Sequence, residues 1–332
     1  MGGVFRLGFE FWPPADAPSA ADARWLLAGA DPSVHVLTGS FAASDGDPVP
    51  YRLWAAQAPR ALLLLLHGAS DYCGAFDEIG PRFAARGMTA LAIDQRGFGA
   101  TRSRGTWCGT RRMIADAVEA VAFLRARFGA DLPVFLLGES MGAALAVSVA
   151  ARAPQLGLAG IVLAAPGAVS GTLRRLFGTA LTRVLRFFLP HASIVIERIS
   201  AWDFTAGAAI RLLGDPMVLR RIRPSILFGL FKLARGAVEQ AKLVNIDALT
   251  MIGTREDVLR EACIARLHRN LGGPKAWAAF AGGPHLLLHW KHNDRVLSQV
   301  FSWVEKRLTP TPLPYKVRGD CGSIRAASSG SA

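Results

Sequence analysis

Six runs of almost purely apolar residues recur along this chain: ALLLLLHG at 61–68, MTALAID at 88–94, PVFLLG at 133–138, AGIVLAA at 159–165, ALTMIG at 248–253 and AWAAFAG at 276–282. An extended stretch that alternates apolar and polar residues keeps one face in water. A stretch without alternation has no such face, and the arrangement that accepts it is a parallel sheet covered by helices on both sides. Helical segments separate the runs at 76–86, 110–128, 140–152 and 257–270, and DRVLSQVFSWVEKRL at 294–308 has the i, i+3, i+4, i+7 apolar spacing of an amphipathic helix. Two further extended stretches, VHVLTGSF and PYRLWAA, flank the turn-rich AASDGDPV and predict an antiparallel hairpin. Together these signals predict an α/β fold with a doubly wound, mostly parallel sheet of eight strands.

The rhythm breaks between 167 and 245, where Arg-rich helical segments replace the alternation of strand and helix. This stretch is expected to be a helical cap inserted into a core made of residues 31–166 and 246–308. Residues 1–30 read as an N-terminal extension, and 309–332, Pro-rich and then Ser/Gly/Ala-rich, as a disordered tail. The longest uncharged window, Ala153 to Leu173, contains Pro154, Pro166 and several glycines, so it reads as a buried strand with its exit loop and not as a membrane span. The opening MGGVFRLGFEFWPP lacks the apolar run and cleavage pattern of a signal peptide. Cys73, Cys108, Cys263 and Cys321 include no C-x-x-C pair, which argues against a zinc site or a disulfide framework. These features predict a cytoplasmic protein.

The third run ends in Gly138-Glu139-Ser140-Met141-Gly142 and continues into a helical pattern. A strand that turns at once into a helix brings backbone against backbone, and glycine at 138 and 142 avoids the Cβ clash. The serine is then held in a strained turn with its hydroxyl at the helix N-terminus, the G-x-S-x-G arrangement of a nucleophile. Such a serine needs a base, so a histidine is expected downstream with an acid between the two. His285, in FAGGPHLLLHW, follows the last apolar run. The acid is expected in TMIGTREDVLR, where either Glu256 or Asp257 accepts the imidazole Nδ1–H while the other caps the following helix. The oxyanion formed on attack needs two donors, expected from the N–H groups of Met141 and of Ala69 in HGAS. HLLLHWKH sets His285, His289 and His292 near one another, but it lacks the glutamate of H-E-x-x-H and a third ligand, so no metal is expected, and no cofactor.

In LLLLHGASDYCGAF, AIDQRGFGATRSRGTW, LLGESMGAALA, GDPMVLRRIRP, the acid loop and GGPHLLLH, the chain resembles the α/β-hydrolases of the monoacylglycerol lipase and lysophospholipase group, the serine aminopeptidase-like hydrolases, over residues 34–308. The resemblance implies a serine carboxylic ester hydrolase acting on single-chain lipid esters through an acyl-enzyme. It also places the nucleophile on Ser140, the base on His285 and the oxyanion donors on Ala69 and Met141. The family carries an aspartate three residues after the strand-terminal glycine. Here Gly253 is followed by Thr254, Arg255 and Glu256, so the resemblance puts the acid on Glu256, with Asp257 as the alternative. Asp94 and Arg96 are expected to hold the loop beside the site as a charge-assisted pair. An aminopeptidase or amidase on the same scaffold would need an acidic group in the cap, whose carboxylates are Glu197, Asp203, Asp215 and Glu239. A ligand-binding member without catalysis is the third reading.

The net charge is +13, of which residues 167–245 carry +8. Within them, LRRLFGTALTRVLRFFL at 173–189 sets Leu173, Leu176, Phe177, Ala180, Leu181, Val184 and Phe188 on one helical face and Arg175, Thr179, Arg183 and Arg186 on the other. A basic amphipathic helix is expected to lie on an anionic membrane surface or over an apolar cleft, or to pack on the core with its arginines solvated. No nucleic-acid-binding signature or interleaved aromatic platform accompanies the charge, so nucleic acid is not an expected partner.

Overall fold

The computed structural model describes residues 10–11, 36–169, 192–195 and 203–308. Its main sheet has eight strands: β1 (Val36–Ala42), β2 (Pro48–Trp54), β3 (Ala61–Leu66), β4 (Met88–Ile93), β5 (Val134–Glu139), β6 (Gly160–Ala164), β7 (Ala248–Gly253) and β8 (Lys275–Phe280). Their order is β1-β2-β4-β3-β5-β6-β7-β8. β2 runs antiparallel to both β1 and β4, and the other neighbours are parallel. The expected doubly wound, mostly parallel sheet is therefore the observed one.

The apolar runs behave as the physics of a covered sheet requires. Every residue of β3 to β7 is buried. Along β3, Leu62, Leu64 and Leu66 enter one core, with α2 (Thr110–Phe128), α3 (Met141–Arg152) and α6 (Glu261–Asn270). Leu63 and Leu65 enter the other, with Phe83 of α1 (Gly80–Ala84) and Val296, Leu297 and Val300 of α7 (Asn293–Glu305). Each leucine pointing the wrong way for one core serves the other, so alternation would have nothing to accomplish. β8 corrects the expectation of cover on both faces. It is the edge strand, its residues alternate between exposed and half-buried up to Phe280, and Trp277 is exposed.

Two helical expectations shift. The segment 76–86 is a short 3-10 turn at Cys73–Phe76 followed by the five-residue α1, because Gly80 and Pro81 delay the helix start. The segment 257–270 becomes helical only from Glu261, since the residues before it form the turn described below.

Between β6 and β7 lie α4 (Ala206–Gly214) and α5 (Pro224–Gln240). α5 packs along α3, and its Ile226, Leu233, Ala237 and Val238 join the core on that face of the sheet. α4 starts at an N-cap Thr205, whose hydroxyl accepts the Ala208 N–H at 3.3 Å and donates to Glu78, while Glu78 also accepts the Gly207 N–H at 3.1 Å. A carboxylate at that end suits the helix dipole. No strand was legible in this stretch, yet a small antiparallel sheet pairs Ala192–Val195 with both Glu10–Phe11 and Arg221–Ile222. Its strands are too short for any periodicity to show. The basic helix expected at 173–189, Glu197, most of residues 1–30 and the tail at 309–332 lie outside the described residues.

Candidate active site

β5 ends at Glu139 and α3 begins at Met141, so Ser140 alone makes the turn from strand to helix. It does so at φ 53°, ψ −110°, a left-handed conformation that costs a non-glycine residue about 1–3 kcal/mol. The flanking glycines are required. A Cβ on Gly138 would stand 2.3 Å from the Gly142 carbonyl, and one on Gly142 would stand 1.9 Å from the Leu66 carbonyl oxygen. The backbone of Ser140 is held by its N–H to Ala164 at 2.9 Å and by its carbonyl, which accepts from Gly167 at 2.9 Å. Packing thus supports the strain and leaves the side chain partly open to solvent.

The loops after β7 and β8 meet here because Gly253 lacks a side chain: a Cβ there would lie 2.1 Å from the Gly283 carbonyl oxygen. The Arg255 N–H donates to that same carbonyl at 2.9 Å. The contact delivers His285 to Ser140 and to the acid loop together. Its Nε2 lies 2.9 Å from Ser140 Oγ, and its Nδ1 lies 2.6 Å from Glu256 Oε2. The imidazole and the carboxylate are both buried.

Glu256 is engaged at both oxygens, since Oε1 accepts the N–H groups of Val258 and Leu259, each at 2.9 Å. Burial pushes its carboxyl up, but the His285 hydrogen bond, the His285 charge and these two N–H donors outweigh it and hold the group below the usual glutamate value. Asp257 is exposed and makes no hydrogen bond among the described residues. The expected division of labour is therefore corrected. Asp257 caps nothing, α6 has Arg260 at its N-cap position with no side-chain cap, and one glutamate both orients the imidazole and ties its own turn.

The loop after β3 passes beside the serine, where a Cβ on Gly68 would be 3.7 Å from Ser140 Cβ. Neither the Ala69 N–H nor the Met141 N–H has an acceptor among the described residues. Behind this loop His67 is fully buried, its Nδ1 2.7 Å from the Gly68 carbonyl and its Nε2 accepting the Gln95 N–H at 3.0 Å. Burial lowers its pKa, in keeping with a neutral ring whose Nε2 is an acceptor.

Asp94 and Arg96 do not pair with each other. Asp94 accepts the N–H groups of Cys73 and Ala100, both at 2.7 Å, while Arg96 reaches Asp45, Asp47 and Asp116. Both lie past the end of β4, and the chain turns at Arg96, so the carboxylate closes its own loop and the guanidinium ties the β1–β2 turn to α2.

Sequence reasoning missed one buried group. Glu139, within the pentapeptide itself, accepts the Leu288 N–H at 2.9 Å and lies 3.1 Å from His289 Nε2, and His289 in turn meets Arg211 of α4. The only signal was a carboxylate at the last position of a fully buried strand, which demands partners. It could not say which.

Residues 57–291 match the family model described as serine aminopeptidase, S33. The mouse monoglyceride lipase is 26% identical over 277 residues, covering 80% of this chain and 89% of that protein. The monoacylglycerol lipase of Mycolicibacterium smegmatis is 26% identical over 286 residues, 81% of this chain and 97% of that protein. Among solved structures, a soluble variant of the Saccharomyces cerevisiae monoglyceride lipase bound to a substrate analogue superposes with TM-score 0.68 at 17% identity, covering 83% of this chain and 96% of that one. A thermostable carboxyl esterase from Bacillus coagulans in complex with glycerol gives TM-score 0.70 at 18% identity, covering 82% and 99%.

Proposed function

Because the chain belongs to the serine aminopeptidase S33 family of α/β-hydrolases, we propose that it hydrolyses carboxylic esters of single-chain lipids, monoacylglycerols or lysophospholipids, through an acyl-enzyme on Ser140. Kinship with monoglyceride lipases supports lipid-ester hydrolysis as the class of reaction. The observation that carries the finer reading is the continuous hydrogen-bonded series Ser140 Oγ, His285, Glu256 beside two N–H groups with no acceptor among the described residues.

In this reading His285 Nε2 takes the Ser140 proton as Oγ attacks the ester carbonyl carbon. The oxyanion is received by the N–H groups of Ala69 and Met141, and the imidazolium is stabilised through Nδ1–H by Glu256. His285 then protonates the departing alcohol, leaving the acyl group on Ser140. A water that gives its proton to the same Nε2 attacks that acyl carbon, the Oγ–acyl bond breaks as His285 returns the proton to Ser140 Oγ, and the fatty acid is released.

The carboxylates described between β6 and β7 favour an ester over an amine substrate. Asp203 is paired with Arg255, Asp215 is buried against the Tyr72 hydroxyl, and Glu239 is paired with Arg235 on the outside of α5. None of these described carboxylates is left to receive a substrate ammonium. The test is a substrate series from short-chain nitrophenyl esters to long-chain monoacylglycerols and lysophospholipids, run beside an aminopeptidase substrate. Highest kcat/KM on a long-chain lipid ester is the expected result, and turnover of the peptide substrate alone would replace the reading.

We further propose that the stretch 167–245 is a cap over the site that rests on anionic lipid; the packing of α5 on α3 supports an anchor for it on the core. On α4, Ile210 and Leu213 are 64% and 52% exposed, and Arg220 donates to the Leu213 carbonyl, which sets a cation beside them. No helix among the described residues is long and apolar enough to cross a membrane, so contact would be at the surface. Binding to phosphatidylglycerol vesicles is expected to weaken steeply as salt rises and to weaken again in Ile210→Glu. Binding indifferent to both would count against the contact.

A further inference from the structure

Three consecutive residues of the loop that carries Ala69 are each bound to one short segment of the cap stretch. The Ser70 carbonyl accepts the Leu219 N–H at 2.7 Å. The Asp71 carboxylate receives the Arg211 guanidinium. The Tyr72 hydroxyl donates to Asp215 Oδ2 at 2.5 Å, and Asp215 Oδ1 accepts the Met217 N–H at 2.7 Å. Residues 211–219 therefore clasp the loop along its length. Ser70 itself sits at φ 75°, a conformation that a serine keeps only where its surroundings over-determine it.

Arg211, Asp71, His289 and Glu139 are all buried, and their donors and acceptors form a directed series. Arg211 Nη2 is 3.3 Å from His289 Nδ1. A guanidinium has no lone pair to offer, so Nδ1 carries the lone pair and the ring proton is on Nε2, 3.1 Å from Glu139 Oε2. One side chain of α4 thus grips Asp71, two residues beyond Ala69, and through His289 reaches Glu139, the residue before Ser140. Burial alone would raise the Asp71 carboxyl, but the charge of Arg211 and its hydrogen bond hold it low. The pair is ionised where an unpaired ion would be very unfavourable.

We propose that Arg211 is a positioning residue: seated from α4, it holds the oxyanion loop against the serine turn, so that the Ala69 N–H is aimed at the developing oxyanion only while this part of the cap is docked. The proposal rests on the hydrolase reading above. Its consequence is that cap seating and oxyanion stabilisation are one event, and a cap lifted from the core would leave the Ser140–His285–Glu256 series intact but slow.

The test compares wild type with Arg211→Lys, Arg211→Met and Tyr72→Phe. Because Arg211→Met leaves the Asp71 charge buried alone, Arg211→Met with Asp71→Asn is made alongside it. Each protein is titrated for active sites by nitrophenol burst, so that misfolded material does not count. Then kcat and KM per site, affinity for a trifluoromethyl ketone whose hemiketal oxyanion occupies the hole, and hydrogen exchange of residues 68–73 are measured. The double variant is expected to lose about a hundredfold in kcat per site with KM little changed, the scale of one lost oxyanion donor. Ketone affinity should fall in step, residues 68–73 should exchange faster, Tyr72→Phe should show a smaller effect of the same kind, and Arg211→Lys should recover part of the loss. Wild-type kcat per site in the double variant, or unchanged exchange at 68–73, would overturn the proposal. If wild type itself turns over no ester, the hydrolase reading falls and takes this one with it. If wild type is active and the variant is its equal per site, this proposal alone falls.

Discussion

Ser140→Ala is expected to lower kcat on a lipid ester by about 10⁶-fold, and His285→Ala by a similar factor, with the double substitution no worse than either alone. The non-additivity follows from the geometry. Ser140 Oγ and His285 Nε2 share one hydrogen bond at 2.9 Å, so removing either partner removes the activated nucleophile as a whole. The fold should survive the serine change, because alanine keeps the Cβ at φ 53° and the serine turn is held by backbone bonds and by Gly138 and Gly142, not by the hydroxyl. The measurement is initial-rate kinetics on purified, folded protein, with mass spectrometry of the quenched reaction to find the acyl group on the Ser140 peptide. A Ser140→Ala protein that retained more than about a thousandth of wild-type turnover would move the nucleophile elsewhere.

Glu256→Gln is expected to lower kcat by about 10⁴-fold, while Asp257→Asn should leave it close to wild type. An amide at 256 would turn either a donor toward Nδ1–H or a weaker acceptor, and the imidazole would lose both its tautomer and the charge that stabilises its protonated form. Asp257, exposed and without hydrogen bonds among the described residues, has nothing comparable to lose. The reverse ranking would hand the role to Asp257. The same substitution carries a stability signature whose sign can be worked out. The folded-state pKa of Glu256 lies below its ordinary value of 4.5. The group therefore contributes stability that is present above the unfolded value and is lost as pH falls through the lower folded one. Thermal melts of wild type and Glu256→Gln should differ most near neutrality and converge in acid, below the ordinary glutamate range. A gap that widened on acidification would contradict the assigned hydrogen bonds.

The parts of this molecule that were legible in the sequence are those set by local constraint. Continuous apolar runs such as ALLLLL demand two covered faces, and β3 to β7 have them. Glycine at 138 and 142 marks a backbone approach that no side chain survives, and the serine turn has that approach. The last run looked the same as the others on paper, but β8 is the sheet edge with one face open. Alanine and tryptophan tolerate partial exposure, so composition carried no warning. Glu256 and Asp257 are neighbours of like charge, and periodicity has no means of telling which one turns inward. Asp94 and Arg96 looked like partners because they are close along the chain, whereas each found its partners across a loop.

What the sequence by itself determined was the sheet, the turn that exposes Ser140 and the chain order of serine, acid and histidine. Each of these follows from the chemistry of a few consecutive residues. The tertiary structure alone decided that Glu256 meets His285, that Asp257 faces water, and that Arg211 of α4 lies between Asp71 and His289. Such pairings are contacts between segments distant in the chain. Their strength comes from burial and from distances of 2.5–3.5 Å, and neither exists until the loops have been brought together.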